Sequence, residues 1–354
     1  MSGFFEFCNW LCCLTTMNQE PHAHRRWLLV GLVLLSGTLA LKAASADTQP
    51  VVFVPQWEPQ AQFAGYYVAV EKGLYARYGL AVTVLRGGPD QPIGRLLQEG
   101  QADFATTFLT SALEKRSRDG LALVNIAQMV QRSSLLLVAR KSSGICSPAD
   151  LRGKTVSLWP DFAVQPKALF RKFGVEPRVL TQSATINLFL RGAVDAASGM
   201  WYNEYHMLIN SGLEEKDLTI FFYDQFGLNF PEDGIYCLAP TLKQNPARCR
   251  RFVQASIAGW QYAFQHPEEA LDIVMRQVTA ANRPTNRVHQ RWMLNRMKDI
   301  MQPPGAPPMG TLTEADYLRV ARELKDVGQI DTIPAWNEFY ENCALDIPTD
   351  QLGR

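Results

Sequence analysis

The sequence predicts an α/β fold built as two similar lobes, and three observations predict it. Residues 51–140 alternate short apolar runs with helical patterns, the rhythm of a largely parallel sheet covered by helices. Residues 148–239 repeat that rhythm. A weak internal echo links the halves: Leu97-Gln98-Glu99-Gly100-Gln101-Ala102-Asp103 and Leu190-Arg191-Gly192-Ala193-Val194-Asp195 both read helix end, glycine, two residues, aspartate, short strand.

In the first half the strand candidates are Val51–Val54, Val82–Leu85, Asp103–Ala105, Leu123–Ala127 and Leu135–Ala139. Each is a short apolar run bounded by turn residues. In the second half they are Lys154–Leu158, Asp195–Ser198, Leu218–Phe222 and Ile235–Leu238, with a helix over Gln165–Phe173 closed by Gly174. From Thr241 the pattern turns helical. Pro246 and Pro267 sit at first-turn positions, a helix spans Asn286–Met301, and Thr313 with Asp316 opens the helix of Thr313–Val327. The proline-rich stretch Gln302–Gly310 is a rigid connector, and Asp331–Arg354 reads as a loosely packed flank or a partner to the first lobe.

Composition narrows the function classes. The chain has 354 residues, 47% hydrophobic and 19% charged, with a formal charge of +1. That balance offers no electrostatic footprint for nucleic acid. At the N-terminus, Arg25 and Arg26 precede an apolar run from Trp27 to Leu41, and Ala44-Ser45-Ala46 precede Asp47. This is the pattern of a cleavable secretory signal over residues 1–46, with cleavage expected between Ala46 and Asp47. The run is shorter than the roughly 20 residues of a membrane helix. Met17 is a second candidate start, which would leave Cys8, Cys12 and Cys13 upstream of it. Export places Cys146, Cys237, Cys249 and Cys343 in an oxidising compartment, where disulfides and buried thiols are both open. His206, His266 and His289 show no metal-ligand spacing, and no metal or cofactor is expected.

The richest stretch is Gln56–Leu80, QWEPQAQFAGYYVAVEKGLYARYGL. It sets Trp57, Gln60, Phe63 and Tyr66 on a strand-to-helix junction, where open α/β sheets bind small molecules. Rings there offer stacking faces to a flat ligand, and Gln60 offers both a donor and an acceptor; core packing is the plain alternative for each ring. Thr106, Thr107 and Ser111 follow the Asp103 strand as hydrogen-bonding hydroxyls, or as helix caps. In the second half Trp159, Phe162 and Gln165 occupy the loop after the first strand, and Trp201, Asn203 and Glu204 follow the Asp195 strand. The loop Trp159–Gln165 has no glycine and no cation, the nearest following one being Lys167. That argues against a phosphate or sulfonate ligand, which needs free N–H groups or positive charge. Asn229, Glu232 and Asp233 read as a polar surface turn.

These motifs in order, W-x-P, G-Y-Y-V-A-x-x-K-G-L-Y, G-G-P-D, G-x-A-D-F, S-P-A-D-L-x-G-K-x-V, M-W-Y-N-E and H-Q-R-W-M, resemble those of periplasmic substrate-binding proteins of ABC importers. The chain is most similar to the thiamine-pyrimidine-precursor binders and their relative, the yeast-type pyrimidine synthase, and more distantly to taurine and sulfonate binders. The resemblance runs from about Val51 to Val327. It implies a type II periplasmic binding protein: two lobes joined by two crossover strands, with the ligand in the cleft. Lobe one would be 51–138 plus 240–354 and lobe two 139–239, with crossovers at Leu137–Arg140 and Tyr236–Pro240. The implied function is capture of a small heteroaromatic nutrient, a thiamine pyrimidine precursor or a riboflavin- or pyridoxal-type ring, for delivery to a permease and its ATPase. The synthase activity is the alternative class. It would need a cleft histidine and a cysteine-rich segment, and Asp103–Lys115 contains no histidine.

Overall fold

The computed structural model describes residues 48–345. The signal-peptide reading, the first three cysteines and the last nine residues lie outside the described residues. The chain forms two five-stranded sheets. Sheet one, in lobe one, has strands β1 (Gln49–Val54), β2 (Leu80–Val84), β3 (Phe104–Phe108), β4 (Leu123–Gln128) and β10 (Asp233–Leu238) in the order β2-β1-β3-β10-β4. Sheet two, in lobe two, has β5 (Leu135–Arg140), β6 (Thr155–Leu158), β7 (Arg178–Thr181), β8 (Ala196–Met200) and β9 (Leu218–Phe222) in the order β7-β6-β8-β5-β9.

Both sheets are mixed rather than largely parallel. β1 runs parallel to β2 and β3, while β10 pairs antiparallel with β3 and β4, with Asp233 opposite Phe108. In sheet two, β5 plays the equivalent role between β8 and β9. Each of these strands enters its sheet from the other lobe. An antiparallel neighbour needs no crossover helix, so the βαβ rhythm does not reveal it. The connections between the two sheets are residues 129–134, from β4 to β5, and 223–232, from β9 to β10. Leu137–Arg140 lies within β5 and Tyr236–Leu238 within β10, two strands buried along almost their whole length.

Eight helices carry the packing: α1 (Ala64–Glu71), α2 (Leu109–Arg118), α3 (Val164–Phe173), α4 (Glu204–Asn210), α5 (Pro246–Gln265), α6 (Pro267–Ala280), α7 (Arg287–Met301) and α8 (Glu314–Asp326). Alternate residues of β1 and β3 feed the two faces of sheet one. Phe53 and Phe104 pack with Tyr66, Phe252 and Trp260 beneath α1 and α5, and Val54 and Ala105 pack with Leu113 and Val320 beneath α2 and α8. Phe104 and Phe252 stack with centroids 4.3 Å apart. Helices α1 and α5 cross on two glycines: a Cβ on Gly65 would fall 2.3 Å from the Trp260 ring, and one on Gly259 would fall 2.2 Å from the Gly65 carbonyl oxygen. The side chains of Asn286 and Thr313 cap α7 and α8 by accepting the N–H groups of His289 and Asp316. The segment before residue 345 closes the edge of sheet one: Glu341 and Cys343 donate their backbone N–H groups to the carbonyls of Asn125 and Ile126 on β4.

Candidate functional site

The site is built where the two inter-lobe segments run side by side. Met129 and Val130 donate to the Asp233 carbonyl at 3.0 and 2.9 Å, and Glu232 donates its N–H back to the Val130 carbonyl. The Glu232 carboxylate then binds the start of β5. Its Oε1 accepts the N–H groups of Ser134 (2.6 Å) and Leu135 (3.0 Å) and the Ser133 hydroxyl, and its Oε2 accepts the Ser134 hydroxyl at 2.8 Å. Burial pushes this carboxyl up to about 7, against the pull of those donors. Asp233 accepts from Gln56 at 2.6 Å and Gln62 at 2.9 Å, and burial raises it to about 6. Asn229 accepts the Ser133 N–H and donates to the Gln131 carbonyl. The Asn229, Glu232 and Asp233 cluster expected on a surface turn is thus hinge material, with both acids under a tenth exposed. Its side chains supply the acceptors for the N–H groups of Ser133, Ser134 and Leu135 that backbone pairing between the two segments leaves over.

Beside this hinge lies a cavity of about 20 Å³, bounded by Phe108, Leu135, Phe162, Gln165, Met200 and Glu232. It has room for a water-sized group and none for a ring. Phe108 comes from the end of β3 in lobe one and Phe162 from the loop ahead of α3 in lobe two; their centroids are 4.8 Å apart at 64°. Gln165 donates to the Leu228 carbonyl at 2.6 Å and accepts from Ser133.

Of the expected residues, Phe162 and Gln165 line this cavity. Trp159 packs edge-on against Phe162 and donates its indole N–H to the Ser183 carbonyl at 3.0 Å. Trp201 is half-buried at the boundary between lobes, against Phe222 and beneath the guanidinium groups of Arg132 and Arg296. Asn203 bonds across the lobes to His289. Trp57 is 41% exposed on its loop, and Gln60 beside it donates to Gln62. Ser111 is half-buried on α2.

The rest are placed otherwise. Phe63 and Tyr66 are core residues rather than cleft faces, because α1 lies flat on sheet one. Tyr66 is wedged between Phe53, 4.6 Å away, and Trp260, and Phe63 is fully buried. Thr106 and Thr107 lie inside β3, which runs on to Phe108; Thr106 accepts the Gln56 N–H at 3.0 Å. The Glu204 carboxylate folds back on its own strand, accepting from the Met200 N–H at 2.9 Å and from Asn203. It holds the β8–α4 turn and presents no free edge to a ligand. Sequence reasoning missed Phe108, Leu135 and Met200 as lining residues. The missed signal was the pair Glu232-Asp233 ahead of an apolar strand, where two adjacent acids need buried partners.

Among the described residues no group of three or more His, Cys, Asp or Glu side chains is placed to hold a metal. Cys146, Cys237, Cys249 and Cys343 are free thiols, the last three buried in lobe one.

Two relatives and one solved structure place this architecture. The chain is 30% identical over 251 residues to the riboflavin-binding protein RibY of Chloroflexus aurantiacus, covering 67% of this chain and 69% of that one. It is 25% identical over 291 residues to the formylaminopyrimidine-binding protein of Halalkalibacterium halodurans, covering 79% and 86%. The periplasmic aliphatic sulphonate binding protein SsuA of Escherichia coli superposes with a TM-score of 0.66 at 14% identity, over 85% of this chain and 94% of that one. The two sheets with their paired inter-lobe segments thus form a periplasmic binding protein fold. Residues 60–270 match the family described as NMT1/THI5 like, and the chain belongs to that family.

Proposed function

We propose that the protein is the solute-binding component of an ABC importer, exported to the periplasm, that hands a small heteroaromatic nutrient to a permease and its ATPase. The meeting of Phe108 and Phe162 from opposite lobes, over the buried polar groups of Gln165 and Glu232, carries this reading. Hinged separation of the lobes would open that contact into a slot with an aromatic ring on each wall and, at its end, Gln165 and Glu232, which would exchange a present partner for the ligand. A flat nitrogen heterocycle needs that combination. The names of both relatives describe ligands of this kind. A thiamine pyrimidine precursor is the first candidate. Riboflavin, named by the more similar of the two relatives, is the second, with a pyridoxal-type ring behind it. Trp159, Trp201 and Asn203 would form the rim on lobe two, and Trp57 and Gln60 the rim on lobe one. Capture rather than catalysis is the reading because the acids at the hinge are occupied as acceptors and the Asp103–Lys115 segment offers no histidine.

The test is to express residues 47–354 in a bacterial periplasm, purify without refolding, and identify by mass spectrometry the small molecule released on denaturation. A pyrimidine or flavin mass is expected. Release of nothing, with no thermal shift across a pyrimidine, flavin and pyridoxal panel, overturns the reading.

A further inference from the structure

His206 on α4 of lobe two and His289 on α7 of lobe one are far apart in sequence, yet their Nδ1 atoms lie 2.9 Å apart. Asn203 sets the proton on one nitrogen of His289, and a neutral His289 then sets the proton between the two rings. Asn203 Nδ2 donates to the Glu204 carboxylate at 2.8 Å, so Asn203 Oδ1 faces His289 and accepts its Nε2–H at 2.9 Å. A neutral His289 then offers a bare Nδ1, and His206 fills it with its own Nδ1–H. Asn210 Nδ2 is placed 3.1 Å from the same His206 nitrogen; a proton on His206 Nδ1 requires that amide turned end for end, so that its Oδ1 accepts. The result is a directed chain from Glu204 through Asn203 and His289 to His206, crossing the lobe boundary twice. Trp292 of α7 seals it, stacking on His206 at 4.8 Å and donating its indole N–H to the Trp201 carbonyl across the boundary.

We propose that His206 and His289 form a proton-sensitive latch that holds the lobes together and releases them as the pH falls. The inference rests on the reading that the lobes part to admit a ligand. One proton too many destroys the geometry. The pair tolerates a proton on His206 Nε2, but a second on His289 Nδ1 sets two N–H groups against each other at hydrogen-bond distance. Burial holds both imidazoles below their ordinary value, and the neighbouring His206 depresses His289 further, to about 4. Parting the lobes restores both toward about 6.5. The open state therefore binds more protons, and closure is at full strength above about pH 6.5 and weakens as the pH falls toward 4.

No nearby charge reverses this sign. Glu204 touches the pair only through Asn203. On α7, Arg287 and Arg291 are both paired with Glu268, and Arg296 lies against the rings of Trp201 and Trp292. The hinge acids Glu232 and Asp233 are raised rather than lowered and titrate in the opposite sense. They are common to wild type and latch variants, so the difference between the two isolates the latch.

The experiment is inter-lobe fluorescence energy transfer on the full mature chain. Dyes are attached at the exposed positions of Glu99→Cys in lobe one and Lys216→Cys in lobe two, in a Cys146→Ser background. Transfer is read between pH 7.5 and pH 5, without ligand and with saturating riboflavin. Relative to His289→Gln, the ratio of closed to open molecules in the otherwise wild-type chain is expected to fall about thirtyfold across that range. In His289→Gln, which stays neutral, the acid step is expected to vanish; His206→Gln serves the same purpose if the first variant folds poorly. An identical pH response in wild type and both variants overturns the latch. If riboflavin, a pyrimidine and pyridoxal all leave the transfer unchanged at pH 7.5, the binding-protein reading fails separately.

Discussion

Phe108 and Phe162 meet edge to face across the two lobes, 4.8 Å between centroids, and among the described residues neither ring has another aromatic partner in its own lobe apart from Trp159 beside Phe162. Two half-buried rings that complete each other only in the closed arrangement are well placed to exchange that contact for the faces of a ligand. Each stacked ring contributes about 0.5–1.5 kcal/mol beyond its buried area. Phe162→Ala is therefore expected to weaken binding of the captured ring roughly three- to tenfold, with little change in melting temperature. Titration calorimetry with the ligand recovered from the periplasm checks this. Full affinity in Phe162→Ala combined with a loss in Trp57→Ala would move the ligand to the outer loop.

Gly259 and Gly65 show a constraint of a different kind. Where α1 and α5 cross, the space a methyl group would need at residue 259 is already taken by a backbone carbonyl oxygen 2.2 Å away, and a backbone atom cannot rotate aside. Gly259→Ala must push the two helices apart, and overpacking of this kind costs about 1–3 kcal/mol. The expected result is a melting temperature lower by several degrees. Ligand affinity of the molecules that remain folded is expected to be intact, because the crossing lies in the core of lobe one and away from Phe108.

Asp103 and Asp195 show why the two-lobe plan was legible. Asp103 donates its N–H to the Val52 carbonyl and accepts the Val52 N–H on its carboxylate, both at 2.8 Å; Asp195 does the same with Thr155 at the same distances. The glycines three residues before them, Gly100 and Gly192, both adopt left-handed backbone, at φ of 68° and 69°. The echo in sequence is thus one local device used once per sheet, and local devices are what a single sequence displays. Replacing Asp195 with Ala leaves the Thr155 N–H at the start of β6 without that acceptor and is expected to cost about 1–3 kcal/mol. Faster hydrogen exchange at the Thr155 amide would show it. Non-local relations were not legible. β7 went unseen because it is an exposed edge strand without alternation, and the antiparallel entries of β5 and β10 depend on pairings made far along the chain. The site was half legible for the same reason: Phe162 and Gln165 follow a strand and were expected, whereas Phe108, Leu135 and Glu232 become neighbours only when the lobes meet.

Glu232 gives the sharpest test of the hinge. Its carboxyl titrates at about 7 in the folded protein and near 4.3 in an unfolded chain. The folded state therefore binds the proton more tightly than the unfolded state. Its contribution to stability is fully present below about pH 4.3 and is lost as the pH rises through about 7. Glu232→Gln keeps the shape and an acceptor oxygen for the Ser134 and Leu135 N–H groups but carries no charge at any pH. At pH 5 wild type is expected to be the more stable, because the second oxygen of its carboxyl can accept the Ser134 hydroxyl, which an amide NH2 cannot do. Between pH 5 and pH 8 the gap should close or reverse, with each kcal/mol of difference moving the melting temperature by about 2–4 °C. Thermal melts of both proteins across that range read the effect directly. A gap that stays constant would mean that Glu232 is ionised throughout and that the hinge is held by a charge rather than by a carboxyl that gains and loses its proton.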